Sequence, residues 1–256
     1  MLPDLIELPR PIASLLGGGA GLIAGSFLAT VAIRWPAGRS ALAGRSACDG
    51  CGRSLRPLEL IPLLSWLRAR GKCRTCHSLI DSRHPIAELI AAMIGAVALA
   101  VAPGWVGIAG ALFGWVLLLL AMLDRDHFWL PDRLTLPLAA GGLAVSLAGV
   151  GPNPRDSLIG GVAGFAALWL IATLYRLVRR RRGLGGGDPK LMAAIGTWTG
   201  WALLPAALLA ASLLGLAIVA GLALAGRRVS ARTRLPFGAL LAPAGFLGWI
   251  LMARGG

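Results

Sequence analysis

Residues 105–123 have the sequence WVGIAGALFGWVLLLLAML, nineteen residues without a charged side chain. A helix of about 20 apolar residues is long enough to cross the hydrocarbon core of a bilayer. Seven further apolar runs, one of them shorter, occur along the chain, and they predict an all-α polytopic membrane protein with about eight transmembrane helices. The predicted spans are residues 12–33, 84–101, 105–123, 134–150, 158–177, 191–200, 203–226 and 237–253.

The composition of the whole chain also favours a membrane location. Of its 256 residues, 57% are hydrophobic and 14% are charged, and the mean hydropathy is +0.75. A soluble domain carries about 25% charged residues because its surface must stay hydrated. The composition therefore excludes an ordinary soluble globule, and the high apolar fraction also excludes intrinsic disorder.

The formal net charge of +14 is concentrated in three loops between predicted spans. These loops carry net charges of +7 (residues 34–83), +5 (residues 176–190) and +4 (residues 227–234). With eight spans they all fall on one side, which the positive-inside rule identifies as cytoplasmic, so the N-terminus is expected outside. Residues 1–16 lack a basic n-region and a small-residue cleavage site, so we expect no removable signal peptide.

The basic loops have a second interpretation, which is nucleic-acid binding. Such binding needs a basic face with aromatic side chains on which bases stack. The loops contain only Trp35 and Trp66, and they adjoin the predicted spans. We therefore expect membrane lipid, and no nucleic acid, as the partner of this charge.

All four cysteines lie in one loop after the first predicted helix, as the pairs Cys48-Asp-Gly-Cys51 and Cys73-Arg-Thr-Cys76 with 21 residues between them. Two such pairs can bind one Zn²⁺ tetrahedrally, and four sulfur ligands leave no open position, so a structural zinc is expected. A reducing cytoplasm disfavours disulfides. The alternatives are a redox dithiol pair, four cysteines with no shared role, or His77 in place of one cysteine ligand.

Acidic residues at the ends of the spans are candidates for catalysis, because ionisable groups in a membrane are costly and usually functional. Asp124 directly follows residues 105–123, and Asp188 follows three glycines that permit close backbone approach. Two carboxylates at one depth can share a proton and act as general acid and base. We therefore predict Asp124 and Asp188 as a catalytic pair. The other candidates are Asp126, Asp132 and Glu88.

Both aspartates also have a purely structural interpretation. Asp188 precedes Pro189, so it is a candidate helix cap with proline at the first helical position. Asp124 precedes Arg125 and is a candidate interfacial ion pair. The spacing of the residues leaves these interpretations open.

Short motifs run through nearly the whole chain in a fixed order. They are Gly25-Ser26-Phe27-Leu28, Arg34-Trp35-Pro36, the two cysteine pairs with Ile61-Pro62-Leu63 and Gly71-Lys72-Cys73 between them, Pro85-Ile86-Ala87-Glu88-Leu89, residues 124–132, Leu134-Thr135-Leu136-Pro137, residues 185–190 and Pro236-Phe237-Gly238. With these motifs the chain resembles the type IV prepilin leader peptidases, which are bacterial inner-membrane aspartic proteases of the GxGD type.

The resemblance implies a bifunctional enzyme. The family's catalytic aspartates are the first of its D-x-D…P-D stretch and the one of G-x-G-D, which match Asp124 and Asp188. Members with the cysteine loop cleave the leader of type IV prepilins and type II secretion pseudopilins, and then N-methylate the new N-terminus with S-adenosylmethionine. The chain departs from the family pattern at Ala29 and Leu60 (usually Asn), His84 (usually aromatic) and Ala239 (usually Pro).

The expected organisation has three parts: an N-terminal helix (residues 1–33), a cytoplasmic zinc-binding loop domain associated by resemblance with methyl transfer (residues 34–83), and a transmembrane peptidase domain (residues 84–256). An alternative function is a zinc-regulated transporter that uses Asp124 and Asp188 as an ion or proton site. A non-catalytic assembly scaffold is a third. A transporter of this kind typically has inverted repeats and midplane acidic residues, and the sequence has neither.

Overall fold

The computed structural model describes residues 8–41, 46–48, 50–181, 183–227 and 235–255. In these ranges the chain forms nine α-helices and no β-strand, apart from two isolated bridges, so the prediction of a helical protein is confirmed. The helices are α1 (Arg10–Arg34), α2 (Leu64–Arg68), α3 (Arg83–Val101), α4 (Trp105–His127), α5 (Asp132–Leu147), α6 (Pro154–Arg179), α7 (Asp188–Thr199), α8 (Leu204–Leu224) and α9 (Phe237–Gly255).

Six of the helices in the described ranges are long and apolar enough to cross a membrane, namely α1, α3, α4, α6, α9 and α8 with the short turn before it. The other two predicted spans correspond to α5 and α7, which have 16 and 12 residues. At about 1.5 Å per residue they extend roughly 24 and 18 Å, less than the ~30 Å hydrocarbon core. The total of eight crossings and the cytoplasmic side remain predictions. Residues 1–7 and most of the basic loop 227–234 lie outside the described ranges.

The chain divides into two compact units, Met1–Leu119 and Leu120–Gly256. In the first unit, α1 and α3 pack through small residues, and a Cβ built on Gly21 would overlap the backbone oxygen of Ala91. The same approach recurs one turn away on either side, at Gly17 with Gly95 and at Gly25 with Ala87. Van der Waals packing holds helices together in a membrane, and small residues allow the backbones to approach closely.

Replacing Gly21 by Ile should lower the thermal unfolding midpoint of the protein by several degrees. The larger side chain would force α1 away from α3, and overpacking of this kind typically costs about 1–3 kcal/mol. The matched control is Gly19→Ile, because a Cβ built on Gly19 meets nothing within 4 Å. Equal midpoints for the two variants in detergent solution would contradict this packing.

The second unit is built around α7, in which ten of the twelve residues are buried. Helix α6 crosses it where Gly160 meets Gly196, and a Cβ on either glycine would overlap the other backbone. The indole N–H of Trp198 donates to the backbone oxygen of Leu138 in α5 at 2.8 Å. These contacts fix the depth and rotation of α7, and therefore the position of Asp188 in its first turn.

Candidate active site and cysteine cluster

Asp124 lies in the last turn of α4, and only 5% of the residue is exposed. Its Oδ2 accepts the backbone N–H of Ala239 at 2.9 Å, and the N–H of Gly238 is also directed at this carboxylate. Both donors belong to the first turn of α9, where backbone N–H groups have no partner within the helix. The N-terminus of α9 therefore supplies hydrogen bonds and the positive end of a helix dipole to Asp124.

Asp188 is the first residue of α7, and 4% of it is exposed. Its Oδ2 accepts the backbone N–H of Gly185 at 2.8 Å, so the carboxylate turns back towards the glycine loop. The N-cap of α7 is Gly187, and the interpretation of Asp188 as a helix cap is wrong. The buried side chain of Asp188 forms no capping hydrogen bond with its own helix.

The two carboxylates meet at the start of α9. The backbone N–H of Gly238 is directed at both carboxylates, and Asp188 lies close enough to Asp124 for their charges to interact. Leu130 packs against the glycines on either side, since a Cβ built on Gly187 would lie 2.5 Å from the Leu130 Cβ, and one on Gly238 would lie 2.8 Å from its Cδ1. The missing side chains at these two glycines allow α4, α7 and α9 to converge on the aspartates.

The other acidic residues of this segment have cationic neighbours. Asp132, the first residue of α5, accepts two hydrogen bonds from Lys190 Nζ, at 2.6 and 2.7 Å. Asp126 lies 3.9 Å from Arg125, whose side chain is 70% exposed. Arg125 therefore neighbours Asp126, and the predicted alternative of an ion pair between Asp124 and Arg125 is wrong. Of the three candidates in this segment, the structure brings Asp124 together with Asp188.

The two cysteine pairs fold into similar turns. The backbone oxygen of Cys48 accepts the N–H of Gly52 at 2.8 Å, and that of Cys73 accepts the N–H of His77 at 3.0 Å. Gly52 and His77 occupy matching positions, with φ of +70° and +57°. His77 therefore completes the second turn through its backbone, in the place that glycine has in the first.

The four cysteine sulfurs lie within 4.8 Å of one another and could hold a metal ion. The Sγ atoms of Cys48 and Cys76 are 3.8 Å apart. Tetrahedral Zn²⁺ with bonds of about 2.3 Å separates its ligand sulfurs by roughly the same distance. The backbone N–H groups of Cys76 and Thr75 lower the pKa of Cys73 to about 5, which favours the thiolate that a metal binds. The donor set therefore fits Zn²⁺.

Sequence reasoning did not identify the donors of α9, Gly238 and Ala239. The bonded atoms of Ala239 and Asp124 are 115 residues apart in the chain, and backbone N–H groups leave no residue-type signature. The available signal was Pro236 just before an apolar run, which is typical of a helix start with free N–H groups.

The fold and these sites define a polytopic membrane protein with a buried aspartate pair at helix ends and a four-cysteine cluster in a loop. Two family profiles match the chain, the bacterial peptidase A24 N-terminal domain over residues 20–102 and the type IV leader peptidase family over residues 111–220. The chain belongs to the type IV leader peptidase family, which confirms the resemblance given by its motifs.

Several curated relatives are named prepilin leader peptidase/N-methyltransferase. The chain is 43% identical to the relative from Aeromonas hydrophila over 212 residues, which are 82% of this chain and 72% of the relative. It is 41% identical to the relative from Pseudomonas aeruginosa over 211 residues, covering 82% and 71% of the two chains. The relative from Burkholderia pseudomallei is 44% identical over 204 residues, which cover 78% and 65%. No solved structure matches the chain.

Proposed function

We propose that this protein is a bifunctional membrane enzyme that removes the leader peptide of type IV prepilins or type II secretion pseudopilins and then N-methylates the new N-terminus. Membership of the leader peptidase family supports the first activity, and the names of relatives at about 40% identity carry both. Within the structure, the observation that carries the proposal is the approach of Asp124 and Asp188 at the start of α9.

Asp124 and Asp188 act as the catalytic pair. Two adjacent carboxylates do not both ionise readily, so one holds a proton while the other is charged. The charged carboxylate takes a proton from a water molecule, whose oxygen attacks the scissile carbonyl carbon, while the protonated one donates to the carbonyl oxygen. The tetrahedral intermediate then collapses, and the departing amine takes a proton from the pair. The N–H groups of α9 keep Asp124 oriented throughout.

The position of the pair suits a substrate that lies partly in the membrane. Asp124 and Asp188 lie at the ends of their helices. We place these ends at the depth where the apolar helix of a prepilin leaves the bilayer. We place this end on the cytoplasmic side of the bacterial inner membrane, with the N-terminus outside, because the basic loops adjoin it. Anionic lipid head groups occupy part of that basic surface.

Cys48, Cys51, Cys73 and Cys76 bind one structural Zn²⁺, which leaves no open coordination position for a substrate. S-adenosylmethionine, when bound, supplies the methyl group. In this proposal the zinc organises the loop domain, residues 34–83, between the N-terminal helix (residues 1–33) and the peptidase domain (residues 84–256). Metal and methyl transfer thus belong to one part of the chain and the aspartates to another.

Purified protein in liposomes tests both activities with one substrate. A prepilin should be shortened by its leader, and label from methyl-labelled S-adenosylmethionine should appear on the mature N-terminus. Cleavage without labelling would remove the methyltransferase half. If folded protein cleaves no prepilin but carries ions across the liposome membrane, the proposal is wrong and the transporter alternative holds.

A further inference from the structure

The first unit contains a cavity of about 380 Å³ beside the cysteine cluster. Its walls come from the last part of α1, the loop that carries the cysteines and the start of α3. Pockets for small organic ligands have volumes of roughly 300–1,000 Å³. The cavity therefore has room for one ligand of about the size of a substituted nucleoside.

One wall of the cavity carries a buried carboxylate with a single hydrogen-bond partner. Glu88 is 5% exposed, and its Oε2 accepts the backbone N–H of Leu63 at 2.8 Å. Leu63 adopts a φ of +57°, a conformation that is rare for a leucine, so the loop holds this donor in place at some cost. Within the described residues the Oε1 of Glu88 has no partner, and a carboxylate this deeply buried favours a cationic ligand.

A cationic side chain enters the same cavity from α1. Arg34 lines the cavity, and its guanidinium has no hydrogen-bond or ion-pair partner among the residues that the structure describes. Gly25 lies beside Glu88, since a Cβ built on Gly25 would lie 2.5 Å from the Glu88 Cα. Arg34 lies nine residues, or about 14 Å, further along α1. Side chains tilt towards the N-terminus of their own helix, and α1 and α3 are antiparallel. Arg34 and Glu88 therefore lean towards each other across the cavity.

Trp66 and Arg53 lie beside this space, and the Trp66 Nε1 is buried with no partner among the described residues. Both residues line the cavity. Arg53 binds Glu59 through two hydrogen bonds, at 2.9 and 2.7 Å, and its guanidinium also interacts with the Cys73 thiol. The aromatic side chain of Trp66 in the wall suits the flat ring system of a ligand.

We propose that this cavity binds S-adenosylmethionine, with its α-carboxylate at Arg34, its α-ammonium at Glu88 and its adenosine towards Trp66 and Arg53. A carboxylate and a guanidinium that lean towards each other without an ion pair match an α-amino acid, and the indole in the wall matches the ring system of a nucleoside. The assignment rests on the proposed methyltransferase activity and adds the place where the methyl donor binds. Cys48 and Cys73 also line the cavity, so the metal cluster shapes its wall.

Equilibrium dialysis of labelled S-adenosylmethionine against the purified full chain in detergent tests the assignment. Glu88→Gln keeps an oxygen for the Leu63 N–H and removes the negative charge. Arg34→Gln removes the positive charge at the other end. Each should weaken binding at least about tenfold, as expected for the loss of a charged hydrogen bond. The matched control is Arg68→Gln, because Arg68 is exposed on α2 and does not line the cavity; this variant should bind as the wild type does.

Ultraviolet cross-linking of the labelled ligand to the wild type gives a second result that needs no variant. Labelled peptides should come from residues 26–34 or 46–88, and a label confined to residues 120–255 would overturn the assignment. Wild-type affinity in both cavity variants would also overturn it and leave the proposed function standing. Wild-type protein that neither binds S-adenosylmethionine nor transfers methyl would overturn both.

Discussion

The Asp124→Asn and Asp188→Asn variants should each cleave prepilin at least about a thousandfold more slowly than the wild type. Asparagine keeps the shape of the side chain and an oxygen for the N–H of Ala239 or Gly185, so the helices should stay in place. It can neither take a proton from water nor hold one for the scissile carbonyl, and proton transfer of this kind contributes about 10²–10⁴-fold. The measurement is the initial rate of leader removal by purified variants.

Asp126→Asn is the matched control, since it makes the same chemical change two residues from Asp124 at a site that lies near Arg125. It should keep most of the cleavage rate. Both catalytic variants should still methylate pilin that is supplied already cleaved, because the cavity and the cysteine cluster lie in the first unit and the aspartates in the second. Near-full cleavage by either catalytic variant would show that the pair is assigned wrongly.

The helices could be predicted because a chain in a bilayer must satisfy its backbone hydrogen bonds within each span. Each of the eight predicted apolar runs forms a helix, but hydropathy does not show where a helix stops. Helix α5 ends at Leu147 although the apolar run continues to residue 150. Gly149 adopts a φ of +74°, and the N–H groups of Gly149 and Val150 bond back to Ser146 and Val145. This is a helix-terminating arrangement that depends on one glycine.

The candidate aspartates could also be selected from sequence, but their arrangement could not. Spacing alone did not decide among Asp124, Asp126 and Asp132. Asp124 is distinguished by its burial, and Asp132 by an ion pair to Lys190, which is distant in the chain. The donors of α9 are backbone atoms, which a search for reactive side chains does not find. The same holds for the cavity, because its unpaired groups become apparent only when three segments of chain are brought together.

Cys73→Ser should lose most of the zinc that the wild-type protein retains, about one ion per chain. Cys73 is 6% exposed, and backbone N–H groups stabilise its thiolate, whereas a serine hydroxyl stays protonated and is a poor zinc ligand. Structural zinc contributes directly to the folding of its loop. The variant should therefore show faster proteolysis within residues 46–80 and lose methyl transfer far more than prepilin cleavage. Metal analysis after gel filtration gives the zinc content.

His77→Asn is the control for the ligand set. Asparagine tolerates the positive φ of this position, so the turn should persist, and the zinc content should equal that of the wild type. If Cys73→Ser keeps its zinc and the double variant with His77→Asn loses it, histidine replaces the missing thiolate and the four-cysteine site is wrong. If zinc is lost while methyl transfer remains at the wild-type rate, the metal does not organise the cavity wall. Loss of both, with cleavage largely preserved, is expected if the cluster supports the methyl-donor site and the aspartates work without it.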